Sequence, residues 1–220
     1  DTSKRNIFLF PNVHWDVGMS SLSSLFPSII DWVISTVEMF ADSDICNLYI
    51  RCHPAEALER KNGSKGIEDY VRARWNILPS NIIIISSNNP VSSYSLFPYV
   101  DMGVINNGTI GLEMLLADIP LIVVGSAPYS FLKGVHLPCS YEEYRKFILA
   151  SPKGDKVDME QIKLFSYFYF LKSSIPWKLT ERSYPADILT PLPFASLNDL
   201  LPGEDPYLDH LCNCIIDKNI

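Results

Sequence analysis

The sequence predicts an α/β protein: a Rossmann-like, doubly wound parallel sheet followed by a helical, proline-rich C-terminal extension. Three observations carry this expectation. Apolar runs of strand length alternate with helix-length segments along residues 1–125, joined by short connections. Those runs are continuously apolar, as strands are when helices cover both faces of a sheet. A chain of 220 residues, 47% hydrophobic and 20% charged, can fill a core and is not a disordered one.

The elements follow in order. Ile7–Val13 reads as a buried strand with a proline near its end, and a polar, serine-rich stretch follows it. Pro27–Phe40 carries apolar residues at 29, 30, 33, 34, 37 and 40, a helical period with proline in the first turn. Ile45–Arg51 is the second strand. Two short helices, Pro54–Arg60 and Gly66–Trp75, are split by the Asn62-Gly63 turn. Asn81–Ser86 is a β-branched third strand, followed by a short helix around Ser93–Tyr99. Met102–Asn106 is the fourth strand, Ile110–Asp118 a helix, and Pro120–Gly125 the fifth strand. Beyond it, Tyr141–Ala150, Asp158–Ser174 and Asp205–Ile216 read as helices, while Pro176 to Pro206 shows no clear period. The expected organisation is a Rossmann-like domain over residues 1–150. Residues 151–220 form an extension packed on it or on another domain.

Composition narrows the functional classes. No apolar run approaches the ~18 residues of a membrane span. A formal charge of −7 argues against a nucleic-acid partner but leaves room for a small phosphorylated ligand. The five cysteines, Cys46, Cys52, Cys139, Cys212 and Cys214, show no zinc-knuckle spacing and read as reduced, mostly buried thiols of a cytoplasmic protein. The chain begins at Asp1 rather than Met and is read as part of a longer one. Asp42-Ser43-Asp44 precedes a strand instead of following one, so it reads as a solvated turn. No metal or other cofactor is implied. His136 and His210 read as structural, and the glycosylation-like strings at Asn62 and Asn107 as coincidental.

In an open parallel sheet, ligands bind beyond the carboxyl ends of the strands. Three loops there carry suggestive residues. After the first strand come His14, Trp15 and Asp16, with Asp16 a candidate for sugar contact. After the second comes Arg51-Cys52-His53-Pro54-Ala55-Glu56. Pro54 pushes His53 out of the helical region, so its imidazole projects from the loop. Arg51 is either a second cation at the crevice or a surface ion pair with Glu56 or Glu59, and Glu56 suits a helix start in any case. After the fourth strand comes Asn106-Asn107-Gly108-Thr109-Ile110-Gly111-Leu112-Glu113. Gly108 and Gly111 allow close backbone approach, or simply tight packing. Thr109 can cap the helix, whose free amides form an anion site. Glu113, one turn on, can accept hydrogen bonds from two vicinal ribose hydroxyls.

These motifs, with Asp101 before a strand, the closing Asp118-x-Pro120, the opening Asn12-Val13-His14-Trp15-Asp16 and the late Gly203-x-Asp205-Pro206-x-Leu208-Asp209, resemble the nucleotide-sugar half of GT-B glycosyltransferases. The likeness is greatest to the bacterial capsule and surface polysaccharide family that includes Kdo transferases, and it spans about residues 7–210. It implies that His53 contacts the donor phosphate and stabilises it as it departs from an oxocarbenium-like sugar. It implies further that Asn107, Gly108, Thr109 and Gly111 surround that phosphate, that Glu113 holds the ribose, and that the loop ending in Tyr129 lies near the base or sugar. Family members often carry serines at Asn106 and Asn107 and a glycine at Asp118.

The partners so implied are a nucleotide-sugar donor, with CMP-Kdo as one candidate, and a saccharide or glycolipid acceptor. A second domain before Asp1 would complete the active site, and the parent protein could sit at the inner face of a bacterial membrane. The alternatives are a CDP-glycerol-type glycerophosphotransferase, a sugar-nucleotide epimerase, and a non-catalytic scaffold of the same shape.

Overall fold

The computed structural model describes residues 4–13, 25–150, 157–174, 180–183, 188–191 and 196–216. The chain divides into two compact units, Asp1–Phe165 and Ser166–Ile220.

The first unit is built on a six-stranded sheet made of β1 (Arg5–Phe10), β2 (Cys46–Arg51), β3 (Ile82–Ile85), β4 (Met102–Ile105), β5 (Leu121–Val123) and β6 (Val135–His136). Every pairing is parallel, and the order is β3-β2-β1-β4-β5-β6. This is the Rossmann-like sheet that the apolar runs predict. Its order reverses direction between β1 and β4, which pair from Ile7 with Met102 to Phe10 with Ile105. The sixth strand is a departure from the sequence reading. It has two residues, which register Val135 with Leu121 and His136 with Ile122, and so short a run gives no periodic signal.

Helices α1 (Ile29–Ala41), α2 (Glu56–Lys61), α3 (Ile67–Arg74), α4 (Ser93–Leu96), α5 (Ile110–Leu116), α6 (Tyr141–Ala150) and α7 (Met159–Tyr167) complete the alternation, with the first unit extending to Phe165. Ser28 starts α1 by accepting from the Asp31 N–H at 3.0 Å, so Pro27 stands before the cap and not in the first turn. The buried face of α1 presents Trp32, Val33, Val37 and Phe40 to Leu9, Leu48 and Ile50 of the sheet. Burying side chains of this size stabilises by about 1.5–3 kcal/mol each relative to exposure. Trp32 Nε1 donates to the Tyr144 hydroxyl at 2.9 Å, which also bonds Thr36 at 2.8 Å, so α6 is fastened to α1 through a fully satisfied buried polar group. Asn81 donates to the carbonyls of Phe40 and Ser43 and thereby ties the start of β3 to the end of α1.

Helix α5 ends two residues earlier than the apolar pattern suggests. Asp118 adopts φ 61°, its N–H donates to the Leu115 carbonyl at 3.0 Å, and the Ile119 N–H reaches Met114 at 3.0 Å. This is a Schellman ending with an aspartate in the left-handed position that glycine usually occupies. The cysteines also differ from expectation. Cys46 and Cys52 are buried, whereas Cys139 and Cys212 are exposed and Cys214 is half-buried.

In the second unit, a five-residue π-helical turn (Phe168–Lys172) follows α7. Thr180–Ser183 (β7) pairs antiparallel with Ile188–Pro191 (β8), and α8 spans Pro206–Ile216. The hairpin lies in the proline-rich stretch, where the sequence shows no period.

Candidate functional site

A cleft of about 630 Å³ opens at the carboxyl ends of β1 to β4, across the point where strand order reverses. That volume lies within the range of small-molecule sites, roughly 300–1,000 Å³. Phe10, Pro11 and Asn12 follow β1; Arg51, Cys52, His53 and Pro54 follow β2. The segment Asn89–Tyr94 follows β3, and Asn107 to Ile110 with Glu113 follow β4. Two of the three loops singled out in the sequence therefore meet in one concavity. The third candidate group, His14, Trp15 and Asp16, lies outside the described residues.

His53 is exposed at the cleft wall. Its Nδ1 accepts from the Ala55 N–H at 3.1 Å, because Pro54 turns the chain back under the ring. That bond assigns the proton of the neutral imidazole to Nε2, which is therefore a hydrogen-bond donor. The ring accepts from a backbone amide and does not cap a carbonyl, the bland alternative for a loop histidine.

Arg51 is neither a surface ion pair nor an open cation. It is 4% exposed, and its guanidinium donates to the carbonyls of Ser86 at 2.8 Å, Val91 at 3.0 Å and, more weakly, Asn89 at 3.4 Å. Burial lowers its pKa. Its donors are directed at the loop after β3, so it holds one wall of the cleft in place. Glu56 turns away from Arg51. It is 0% exposed, accepts from the Ile67 N–H at 3.2 Å, and burial pushes its pKa up to about 7. The same burial, with Glu56 alongside, raises the Cys52 thiol to about 12, so this cysteine is not a nucleophile.

On the opposite wall Gly108 takes φ +102°, a backbone conformation suited to glycine. Asn107 Oδ1 accepts from Asn12 Nδ2 at 2.7 Å, a link between the β1 and β4 loops across the reversal point. Thr109 is exposed in the cleft, yet it has helical angles and makes no side-chain cap, contrary to the capping role expected of it. Glu113 is half-buried on the first turn of α5 and faces the cleft.

Gly111 and Tyr129 do not line the cleft. Tyr129 is 1% exposed and donates to the Gly108 carbonyl, and a Cβ on Gly111 would overlap its hydroxyl and Ile105. The tyrosine lies under the Gly108 turn, where it supports the loop from behind. Its place near a base or sugar is therefore not what the geometry gives. Conversely, the sequence reading passed over the Asn89–Tyr94 wall. The rule that singled out the other loops applied equally to the one leaving β3. Among the described residues, no cluster of His, Cys, Asp and Glu is arranged to hold a metal, and no helix is long and apolar enough to cross a membrane.

Comparison with known proteins gives matches at the level of structure alone: no family model and no curated protein matches the sequence. The chain is similar to the KpsC beta Kdo 2,4 transferase of Thermosulfurimonas dismutans, with 18% identity and a TM-score of 0.42, over 63% of this chain and 39% of that one. It is similar to the wall teichoic acid polymerase TagF, with 14% identity and a TM-score of 0.40, over 76% and 38% of the two chains. A UDP-GlcNAc 2-epimerase from Neisseria meningitidis, bound to UDP-GlcNAc, matches with 12% identity and a TM-score of 0.40, over 76% and 44%. The chain thus spans less than half the length of these structures, and a Kdo transferase, of the kind its sequence resembles, is among them.

Proposed function

We propose that this chain is the donor-binding half of a glycosyltransferase and that the β1–β4 cleft takes a nucleotide-activated sugar. The observation that carries this reading is the convergence of His53, Thr109 and Glu113, from two separate loops, on one cleft at the strand-order reversal. The His53 Nε2–H and the Thr109 hydroxyl supply neutral donors for a phosphate, with the open Gly108 turn between them. Glu113 supplies the acceptor that a ribose diol requires. In transfer, the bond between the anomeric carbon and the phosphate oxygen breaks, and charge accumulates on that oxygen. A donor already aimed at it stabilises the departing group without reorganisation. In this reading a domain outside the 220 residues supplies the saccharide or glycolipid acceptor site, at the cytoplasmic face of a bacterial membrane. Capsule or other surface polysaccharide synthesis is the process, and CMP-Kdo is one candidate donor.

Calorimetry with CMP, CDP, UDP and GDP tests the reading. CMP preference supports a Kdo-like donor, CDP a glycerophosphotransferase, and UDP hexose transfer or epimerisation. His53→Ala and Glu113→Ala are each expected to weaken binding by about 1.5–3 kcal/mol, the range for charge-assisted hydrogen bonds, with little change in melting temperature. If none of the four nucleotides binds, or if both variants bind like the parent, the site is misassigned and the scaffold alternative stands.

A further inference from the structure

The wall of the cleft that follows β3 ends in a tyrosine whose environment is unusual for a structural residue. Tyr94 is 61% exposed, so its ring adds little to the core. It is nevertheless held in place. The Ser92 hydroxyl, capping α4, accepts from the Tyr94 N–H at 3.3 Å. The ring meets the edge of Phe97 at 5.6 Å and 74°. The carbonyls of Asn89 and Val91, just before it, are gripped by the Arg51 guanidinium. From this fixed base the phenol reaches across the cleft and hydrogen-bonds the Glu113 carboxylate, whose charge raises the phenol above its ordinary value.

We propose that Tyr94 is a positioning residue for ribose recognition: its hydroxyl fixes the orientation of the Glu113 carboxylate so that the remaining lone pairs face a vicinal diol. This rests on the nucleotide-sugar reading of the same cleft and goes beyond it, by naming what orients the acceptor. A carboxylate offers about four lone-pair sites; the phenol uses one and a diol two, so tyrosine and ribose bind together and do not compete. Without the phenol, Glu113 rotates about its side-chain torsions, and ordering it falls to the ligand. The role is specific to the diol. A ligand lacking both hydroxyls draws nothing from an oriented carboxylate.

The test is calorimetry of the 220-residue chain and its Tyr94→Phe variant with CDP and UDP and with their 2′,3′-dideoxy counterparts. Tyr94→Phe is expected to weaken binding of the ribonucleotides about three- to tenfold, the effect of one lost hydrogen bond. The dideoxy compounds should bind the variant and the parent equally. In a Glu113→Gln background the Tyr94→Phe effect should shrink, and the melting temperature should stay unchanged throughout because the ring is exposed. If the variant binds ribonucleotides like the parent, or loses ribo and dideoxy ligands by the same factor, the positioning role is overturned while the cleft remains a nucleotide site. If the parent chain binds no nucleotide of either kind, the nucleotide reading itself falls, and the role of Tyr94 with it.

Discussion

Replacing Arg51 with methionine separates two functions that a buried arginine beside a ligand cleft can have. The guanidinium makes two bonds of 3.0 Å or less, to Ser86 and Val91, and a longer one to Asn89. Hydrogen bonds from a charged group contribute about 1.5–3 kcal/mol each, but bonds sharing one guanidinium do not add, and removing a buried cation also removes its desolvation cost, so a net loss of about 3 kcal/mol is expected. For a unit of this size, that loss corresponds to a fall in melting temperature of about 6–12 °C. Methionine keeps most of the volume, so the loss reflects bonding and not a cavity. Lysine retains the charge as a single point donor that cannot bridge three carbonyls, and Arg51→Lys should fall between parent and methionine variant. Thermal and urea melts of the three proteins, with nucleotide calorimetry on the folded state, are the assays. If Arg51→Met melts like the parent yet loses nucleotide affinity, the guanidinium is spent on ligand, and its assignment as a clamp on the β3 loop is refuted.

Two further substitutions test the surrounding structure. Glu56 has a folded pKa raised to about 7 from 4.5, so across that window the folded state keeps a proton that the unfolded state has released. Stability from this group is therefore full below the window and falls as pH rises through it, then levels off. The groups that bear on Glu56 include Cys52, Arg60, Glu68 and Asp69. Glu56→Gln retains an acceptor for the Ile67 N–H, so it should raise the melting temperature at pH 8 and leave it unchanged at pH 4; an equal gain at both would show that the carboxylate charge is not the cause. Asp118→Gly relieves a left-handed residue at the end of α5, where strain of about 1–2 kcal/mol is partly offset by the flexibility glycine adds to the unfolded chain, giving a net gain of roughly 0.5–1 kcal/mol. A urea midpoint that moves down instead would mean the Asp118 side chain is making an interaction worth more than the strain.

Most of the sheet was legible because its strands are buried on both faces. Runs such as Ile82–Ile85 and Leu121–Val123 have no polar alternation to obscure them, and each falls within the strand expected of it. Reading failed where the deciding interaction is not periodic. The Ile110–Asp118 pattern overshoots because the Schellman ending depends on backbone angles, which Asp118, unlike a glycine, does not announce. The Val135–His136 strand is defined only by its pairing with Leu121 and Ile122, a neighbour that no local window contains. The hairpin Thr180–Ser183 with Ile188–Pro191 is likewise a matter of pairing within a proline-rich segment.

The site shows the same division in sharper form. Sequence position marked which loops leave the carboxyl edge of the sheet, and that was enough to bring His53, Gly108, Thr109 and Glu113 forward together. It could not distinguish a side chain that faces the cleft from one that holds the cleft open. Arg51 and Tyr129 were candidates for contact, and both turn their polar atoms onto backbone carbonyls, of Ser86 and Val91 in one case and Gly108 in the other. Tyr94 went unnoticed, and it points a hydroxyl at the one carboxylate on the wall. The reason is energetic: a buried guanidinium or phenol must find acceptors, and in the described fold the nearest acceptors for Arg51 and Tyr129 are the carbonyls of the loops themselves. Polar residues beside a ligand cleft therefore sort by burial. Arg51 and Tyr129, almost fully covered, are spent on the scaffold; His53, Thr109, Glu113 and Tyr94, which keep access to solvent, are the ones with hydrogen-bonding capacity to offer a ligand.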